Sequence, residues 1–466
     1  MPKKYHIHPK ETPGRYPKIG RSGIIDWGEG CLKCAQCVKQ ECVYGVYQNR
    51  SFSSDIMGDT IDALCHDCFR CVQGCPKRLI HKTMNPEWEV LGDDVYTPDI
   101  ISINWQQAET GKIPVSGAGY GGPFSGPGFD SMWTDMSEIV RPTRDGIHGR
   151  EYISTVVDLG RHPFNLNFDS EGNLVSKPIP MVSLPLPILL DVPPFGDMST
   201  RTLQAMAMAA QQLGTRFIVP VRQARELGDF LTHIIPLIDS DLWDSAWISQ
   251  FSMVEVLDSS DEPVAKTLEK MSALKAIKRD LVVSVRSQAR MDTLERTLEL
   301  AQSKVDVLHF KADQRGYEPA IDNGQHIKDV VRSHHALLLQ EGLRDETTII
   351  SGGGVAMAEH VIKSMLCGAN AVSVDVPLLV ALECRVCQNC VEGGGCPVKM
   401  STIDPNWGSQ RIVNLMGAWH NQLLEMMGAM GIREARRLRG EQGRALFIED
   451  LENDTFARLF GQRGSN

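Results

Sequence analysis

Twelve of the thirteen cysteines in this 466-residue chain fall into three tight runs, and that spacing restricts the fold more than any other feature. The first run is Cys31-x2-Cys34-x2-Cys37-x4-Cys42 and the second is Cys65-x2-Cys68-x2-Cys71-x3-Cys75-Pro76. The third is Cys384-x2-Cys387-x2-Cys390-x5-Cys396-Pro397, and only Cys367 stands apart. Three thiolates at steps of three residues can wrap one face of a cubane iron-sulfur cluster, and a fourth a few residues off completes the coordination. Neither of the first two runs has a histidine at ligand spacing. Structural zinc, which favours two separated Cys-x2-Cys pairs, and disulfides, uncommon in a reducing compartment, are the competing readings. The third run suits a 4Fe-4S cluster on all four thiolates, a 3Fe-4S centre on Cys384, Cys390 and Cys396, or a zinc knuckle. Gly393, Gly394 and Gly395 let the chain turn before its last ligand.

The charge balance, Lys+Arg 48 against Asp+Glu 58 for a net -10, gives no reason to expect a nucleic-acid partner. The most apolar stretch, Ile179 to Phe195, contains Pro180, Pro185, Pro187, Pro193 and Pro194, whose missing amides forbid a membrane-spanning helix. The basic N-terminus lacks the apolar core of a secretory signal. A cytoplasmic protein without a membrane span is expected.

Beyond about Met84 the sequence changes to a Gly- and Pro-rich connector and then to short apolar runs alternating with helical stretches such as Thr202 to Leu213 and Met291 to Ala301. That alternation predicts a parallel α/β architecture. The candidate strands are Ile188 to Asp191, Arg216 to Val221, His233 to Ile238, Met253 to Leu257, Leu281 to Val285, Val305 to Phe310, Thr347 to Ser351 and Ala371 to Val374. Eight of them suggest a TIM-like β8/α8 barrel, with an open doubly wound sheet as the alternative. The seventh runs through Ser351 into Gly352, Gly353 and Gly354 and then a helix; the eighth is approached through Gly368. Glycine amides at the positive end of a helix make a phosphate cradle, which barrels usually place after strands seven and eight. A tight strand-to-helix turn explains the same glycines.

Arg286 ends the fifth candidate strand and Lys311 the sixth, where a barrel points side chains toward its catalytic mouth. The first is a candidate to stabilise negative charge on a reduced flavin and the second to hold a substrate carboxylate; surface salt bridges are the plainer readings. In the connector, Ser116 to Gly128 is too glycine-dense for a helix and either lies against a planar cofactor or is simply loop. Arg141 to Arg150 gathers three arginines and His148, suited to a dicarboxylate or phosphate, or to a solvated turn.

The first two runs are similar to those of bacterial-type ferredoxins, in which the fourth cysteine of each run crosses to the other cluster. The resemblance implies the ligand sets Cys31, Cys34, Cys37, Cys75 and Cys65, Cys68, Cys71, Cys42. In this chain four residues, not three, precede Cys42, and Val43 stands where a proline is usual. The segment Pro187 to Ser199, the triple glycine and the cysteine group ending Cys396-Pro397-Val398 together resemble the FMN-binding synthase domain of glutamate synthase large subunits. The best match is the short archaeal-type form with an N-terminal ferredoxin segment. The family resemblance implies FMN in the barrel, with Pro193, Pro194, Gly196, Arg286, Ser351, Gly352, Gly353, Gly354, Gly368, Val374 and Asp375 around it. It also implies a third cluster beside the flavin. Only eight residues separate Asp375 from Cys384, at most about 14 Å of helix. The Lys-Pro-Gly-Glu-Gly-Gly motif that the family places near its 2-oxoglutarate site is absent. With Pro2 at residue 2, no N-terminal cysteine nucleophile is expected, and nitrogen is expected from a partner or from solution.

The expected organisation is a ferredoxin-like domain with two 4Fe-4S clusters over 1–95, a connector and barrel entry over 96–180, the barrel over 181–383, the third cluster segment over 384–403 and a helical extension over 404–466. In the extension Ile412, Leu415, Met416, Trp419 and Leu423 share one apolar face. Arg433, Arg436, Arg437 and Arg439 read as a solvated face that can dock an acidic partner. Two functions are expected to compete. One is a glutamate synthase-type oxidoreductase passing electrons through clusters to FMN for reductive amination of a 2-oxo acid. The other is an electron-relay subunit with no amino-acid substrate. Both imply ferredoxin or other redox subunits as partners in a hetero-oligomer, and the first also a separate glutaminase or NAD(P)H-oxidising subunit.

Overall fold

The computed structural model describes residues 5–26, 29–50, 60–113, 126–136, 152–162, 166–175, 179–196, 198–239 and 243–461. It divides into two compact units: Met1–Thr12 with Ile103–Cys384 and Gln388–Asn466, and Pro13–Ser102 with Arg385–Cys387. The arginine-rich segment 141–150 and most of the glycine-rich connector lie outside the described residues.

In the larger unit eight parallel strands close into a barrel: β1 (Ile188–Asp191), β2 (Phe217–Pro220), β3 (Ile234–Ile238), β4 (Met253–Leu257), β5 (Val282–Gln288), β6 (Val307–Lys311), β7 (Thr348–Gly352) and β8 (Ala371–Val374). Closure, with β8 paired to β1, removes the open-sheet alternative. The strands are rich in Ile, Val and Leu because helices cover their outer face while side chains fill the inside. The helix Thr200–Leu213 shows how each cover is set. Ser199 accepts from Thr202 N at its start, Gly214 ends it at φ 66°, and Leu203, Met206, Ala210 and Leu213 are buried. Packed against it, the 25-residue helix Pro405–Ala429 buries Ile412, Leu415, Met416, Trp419 and Leu423, the face expected from their spacing.

Polar clips at the N-terminal end hold the strand register. Asp306, just before β6, accepts from Val283 N of β5 at 2.9 Å, and Asn370, just before β8, accepts from Ile349 N of β7 at 2.9 Å. Arg344 is fully buried there. It donates to the Thr347 and Gly368 carbonyls, to Asn370 Oδ1 at 2.8 Å and to His335 Nδ1 at 2.8 Å. Burial, with Arg439 nearby, pushes its pKa down to about 9.

In the smaller unit an antiparallel pair, Ser22–Asp26 with Ile80–Met84, brackets the first two cysteine runs. Val46, Tyr47, Cys71 and Ile80 form its core, against which Cys37, Cys42, Cys65 and Cys75 pack. A short helix starts at the third cysteine of the first run (Cys37–Glu41), and another contains that of the second (Arg70–Gly74). The two halves thus repeat one design. None of the thirteen cysteines is in a disulfide. No helix among the described residues is long and apolar enough to cross a membrane.

Candidate functional site

Inward-facing polar residues of five barrel strands, with Asp375 just after β8, meet near the C-terminal mouth. Arg286 Nη2 donates to Asp191 Oδ1 at 2.9 Å and Arg286 Nε to Glu255 Oε1 at 2.5 Å. Lys311 Nζ bridges Asp191 Oδ2 at 2.7 Å and Asp375 Oδ2 at 2.8 Å. His309 Nδ1 lies 2.8 Å from Glu255 Oε2, and its Nε2 lies 3.0 Å from Ser373 Oγ. Ser284 Oγ donates to Glu255 Oε2 at 3.0 Å.

Burial alone would neutralise these acids, and for Asp191 it pushes the pKa up. Arg286 and Lys311 more than reverse this and hold Asp191 far below the ordinary carboxylate range. Burial works the same way on Glu255, and here Arg286 and the hydrogen bond from His309 prevail. For Arg286 and Lys311 burial favours the neutral form, but Asp191 acts on both, joined by Glu255 at Arg286 and Asp375 at Lys311, so both pKa values rise. His309 is depressed, chiefly by burial, so the ring is neutral. Its proton sits on Nδ1 facing Glu255, and Nε2 accepts from Ser373. The mouth is therefore a fixed lattice of two cations and three carboxylates.

Several expected residues sit differently from their sequence reading. Arg286 and Lys311 do reach the mouth, but neither is a free cation, because the strands supply a carboxylate to each side of both. Ser351 points outward, its hydroxyl bonded to Ser364 of the helix Ala358–Leu366, since strand residues alternate and Gly352 is the one facing in. Val374 faces outward for the same reason, being next to inward-facing Ser373. Gly368 precedes β8 and lies at the opposite end from Gly352, Gly353 and Gly354; a Cβ there would strike His335 at 2.5 Å. It belongs to the Arg344 clip, not to a shared cradle. Pro193 and Pro194 follow β1, and Gly196 packs on Leu379 of the helix Val376–Ala381, on the mouth side.

Gly353 (φ 101°) and Gly354 (φ 67°) do require glycine. A Cβ would come within 2.5 Å of Asp313 O and of Gly316 Cα respectively. The turns after β6 and β7 thus meet backbone to backbone. The helix after β8 offers no spare donor in its first turn. Val376 N is bonded to Asp375 Oδ1 at 2.6 Å, Pro377 has no N–H, and Leu378 N goes to Asp375 O at 2.9 Å.

Sequence reading overlooked Glu255, His309, Ser284 and Ser373 and gave Asp191 no role. The signal was present: each is a polar residue inside an otherwise apolar strand, as in MVEVL, VLHFK and AVSV. Asp130, Glu359 and His360 also approach one another at metal-like spacing. Lys363 already neutralises Glu359 at 3.0 Å, however, and His360 Nδ1 accepts from Ala356 N, which leaves the proton on Nε2. That trio does not suit a cation.

In the smaller unit Cys31, Cys34, Cys37 and Cys75 line one cleft, together with Arg50, Leu79 and Ile80, and Cys42 is not part of it. The cleft is small and partly open to solvent. Backbone amides point at the sulfurs, Lys33 N to Cys31 Sγ at 3.5 Å and Leu79 N to Cys75 Sγ at 3.4 Å.

All three cysteine runs bend in the same way. The second residue after the first cysteine is left-handed in each: Lys33 (φ 54°), Asp67 (φ 54°) and Val386 (φ 53°). So is the residue after the second cysteine: Ala35 (φ 58°), Phe69 (φ 57°) and Gln388 (φ 55°). The third residue after the fourth cysteine follows suit: Gly45 (φ 77°), Arg78 (φ 53°) and Lys399 (φ 44°). Each non-glycine residue held this way costs about 1–3 kcal/mol, and such strain concentrates where ligands are gripped. Alternating right- and left-handed residues also turn successive amides inward, the concavity found around phosphates and iron-sulfur clusters. Gly45 gives the first run the turn that the other two reach through Cys-Pro, which accounts for the missing proline after Cys42.

A family model described as the conserved region in glutamate synthase matches residues 264–433, from the helix before β5 through the third cysteine run. An archaeal-type glutamate synthase (NADPH) of Dehalococcoides mccartyi is 24% identical over 483 aligned positions, covering 91% of this chain and 95% of that protein. The archaeal glutamate synthase (NADPH) of Archaeoglobus fulgidus is 25% identical over 484, covering 91% and 93%. Among solved structures, the flavin-binding domain of baker's yeast flavocytochrome b2 has a TM-score of 0.41 at 12% identity, covering 82% of this chain and 87% of that one. A mandelate oxidase with an FMN adduct has a TM-score of 0.38 at 14%, covering 64% and 91%. The chain is an eight-stranded parallel α/β-barrel protein with cysteine runs before and after the barrel in sequence. Its similarity is to the glutamate synthase family, by the model match over residues 264–433 and by archaeal-type relatives at 24–25% identity along most of the chain.

Proposed function

We propose that the chain is an iron-sulfur flavoprotein oxidoreductase of the glutamate synthase type, passing electrons through cysteine-held clusters to FMN for reductive amination of a 2-oxo acid, 2-oxoglutarate to glutamate. The observation that carries this reading is the shared left-handed bend of three four-cysteine runs in a chain similar to this family. Four thiols converging on one cleft suit a cubane cluster, and their membership supports the crossover set of Cys31, Cys34, Cys37 and Cys75. Cys65, Cys68, Cys71 and Cys42 would hold the second cluster, and Cys384, Cys387, Cys390 and Cys396 the third.

The need for glycine at Gly353 and Gly354 comes from the chain's own turn after β6, so it is the resemblance, with their place at the end of β7, that supports Gly352, Gly353 and Gly354 as the residues that would hold a flavin phosphate. The helix after β8 adds no amide, because Asp375 occupies its first donor. FMN, when bound, supplies the step between one-electron carriers and hydride transfer. The protein's own part is positional. Arg286 and Lys311 keep a fixed positive pair above Asp191, while neutral His309, locked by Glu255 and Ser373, adds no charge of its own. With Arg286 and Lys311 paired internally, a substrate carboxylate has to draw Lys311 away from Asp375.

That pairing favours a second reading, an electron-relay subunit in which no amino acid is bound. The test is anaerobic turnover of the full chain with reduced ferredoxin or viologen, 2-oxoglutarate, and glutamine or ammonium. Glutamate formation supports the synthase reading. No glutamate from protein with full iron and FMN supports the relay.

A further inference from the structure

The first two cysteine runs share a backbone but not an electrostatic setting. In the second run Lys82, on the strand Ile80–Met84, has a side chain only 3% exposed. Its Nζ lies 2.9 Å from Cys65 Sγ, 3.4 Å from Asp67 Oδ1 and 4.7 Å from the centre of the Phe69 ring. Asp67 is itself fixed by Ser22 Oγ at 2.5 Å, so the ammonium is held from two sides with the sulfur as its nearest partner. The matching sulfur of the first run, Cys31, receives the neutral Lys33 amide at 3.5 Å. Two cations line the cleft on that side, the half-buried Arg50, whose Nη1 is 3.6 Å from Cys37 Sγ, and the solvent-exposed Lys77.

From this asymmetry we infer that Lys82 is a tuning residue that makes the cluster on the second run the more easily reduced of the two N-terminal clusters. The inference rests on the reading of these runs as cluster ligands. Reduction adds one electron to the cluster and no bond is made or broken. A buried ammonium donating to a ligand sulfur stabilises the extra negative charge, and hydrogen bonds to sulfur and local charge are the levers that set such potentials. Electrons entering this unit would therefore collect on the second run. Lys82 touches no substrate; it acts through Cys65.

The test is an EPR-monitored redox titration of the anaerobically purified full chain, wild type against Lys82→Met and Lys82→Arg. Lys82→Met is expected to make one cluster at least tenfold harder to reduce, 59 mV for a one-electron couple, leaving the other unchanged, with Lys82→Arg restoring most of the difference. A second measurement needs no variant. Wild-type protein grown with 15N-labelled lysine should show a lysine-nitrogen hyperfine coupling to one reduced N-terminal cluster. Unchanged midpoints in Lys82→Met protein with full iron, or the absence of that coupling, overturns the inference alone. A wild-type chain with no reducible cluster overturns it together with the reading beneath it.

Discussion

Replacing Arg286 with methionine keeps most of the side-chain volume but removes the cation between Asp191 and Glu255, so the cost is electrostatic. Asp191 keeps Lys311 at 2.7 Å, and Glu255 keeps His309 at 2.8 Å and Ser284 at 3.0 Å, so each acid loses one partner of several. Removing one partner of a buried ion pair costs about 3–5 kcal/mol. At about 2 °C per kcal/mol for a unit of this size, the barrel transition should fall by about 6–10 °C at pH 7. In the wild type both acids have depressed pKa values, so their contribution is complete above the unfolded carboxylate range near 4 and is lost only as pH falls through the folded values. In Arg286→Met the folded values rise, protonation relieves the variant first, and the stability gap should narrow as pH is lowered from 7 toward 4. Thermal unfolding followed by circular dichroism at several pH values reads both effects. The double variant Arg286→Met/Glu255→Gln should be less destabilised than the sum of the singles by more than about 1 kcal/mol. A loss below about 1 kcal/mol that does not vary with pH would refute the ionised lattice.

Gly353→Ala, at φ 101° and 2.5 Å from Asp313 O, should cost about 1–3 kcal/mol and weaken FMN binding, both read by thermal shift with and without added FMN. Cys31→Ser/Cys75→Ser should lose about four irons, as each single variant does, because both residues line one cleft; a loss of about eight would mean that they serve different clusters. Arg344→Met removes the buried clip between the turns before β7 and β8 and leaves two backbone carbonyls without a partner. Denaturant unfolding should report a loss of about 2–4 kcal/mol with no change in iron content.

The eight strands were legible because a barrel strand covered on both faces is a short Ile- and Val-rich run bounded by turns, and all eight fall within a few residues of their expected bounds. The cysteine runs were legible because ligand spacing is local. Pairing was not. Nothing near Lys311 in sequence announces Asp191 and Asp375, which the barrel brings to it from 120 and 64 residues away. Facing was lost where a strand was read as a motif: Ser351 stands beside three glycines, yet the two-residue period turns its hydroxyl to the helix layer. The error at Gly368 has the same origin, since a glycine before a strand and one after it lie at opposite ends of a barrel.

The central claim is that three cysteine runs hold clusters that serve the barrel. Iron, acid-labile sulfide and zinc measured on anaerobically purified full chain, alongside its Mössbauer spectrum, test it most directly. The account predicts about eleven to twelve irons per chain, with matching sulfide and the spectrum of cubane clusters. Stoichiometric zinc with no sulfide would contradict it.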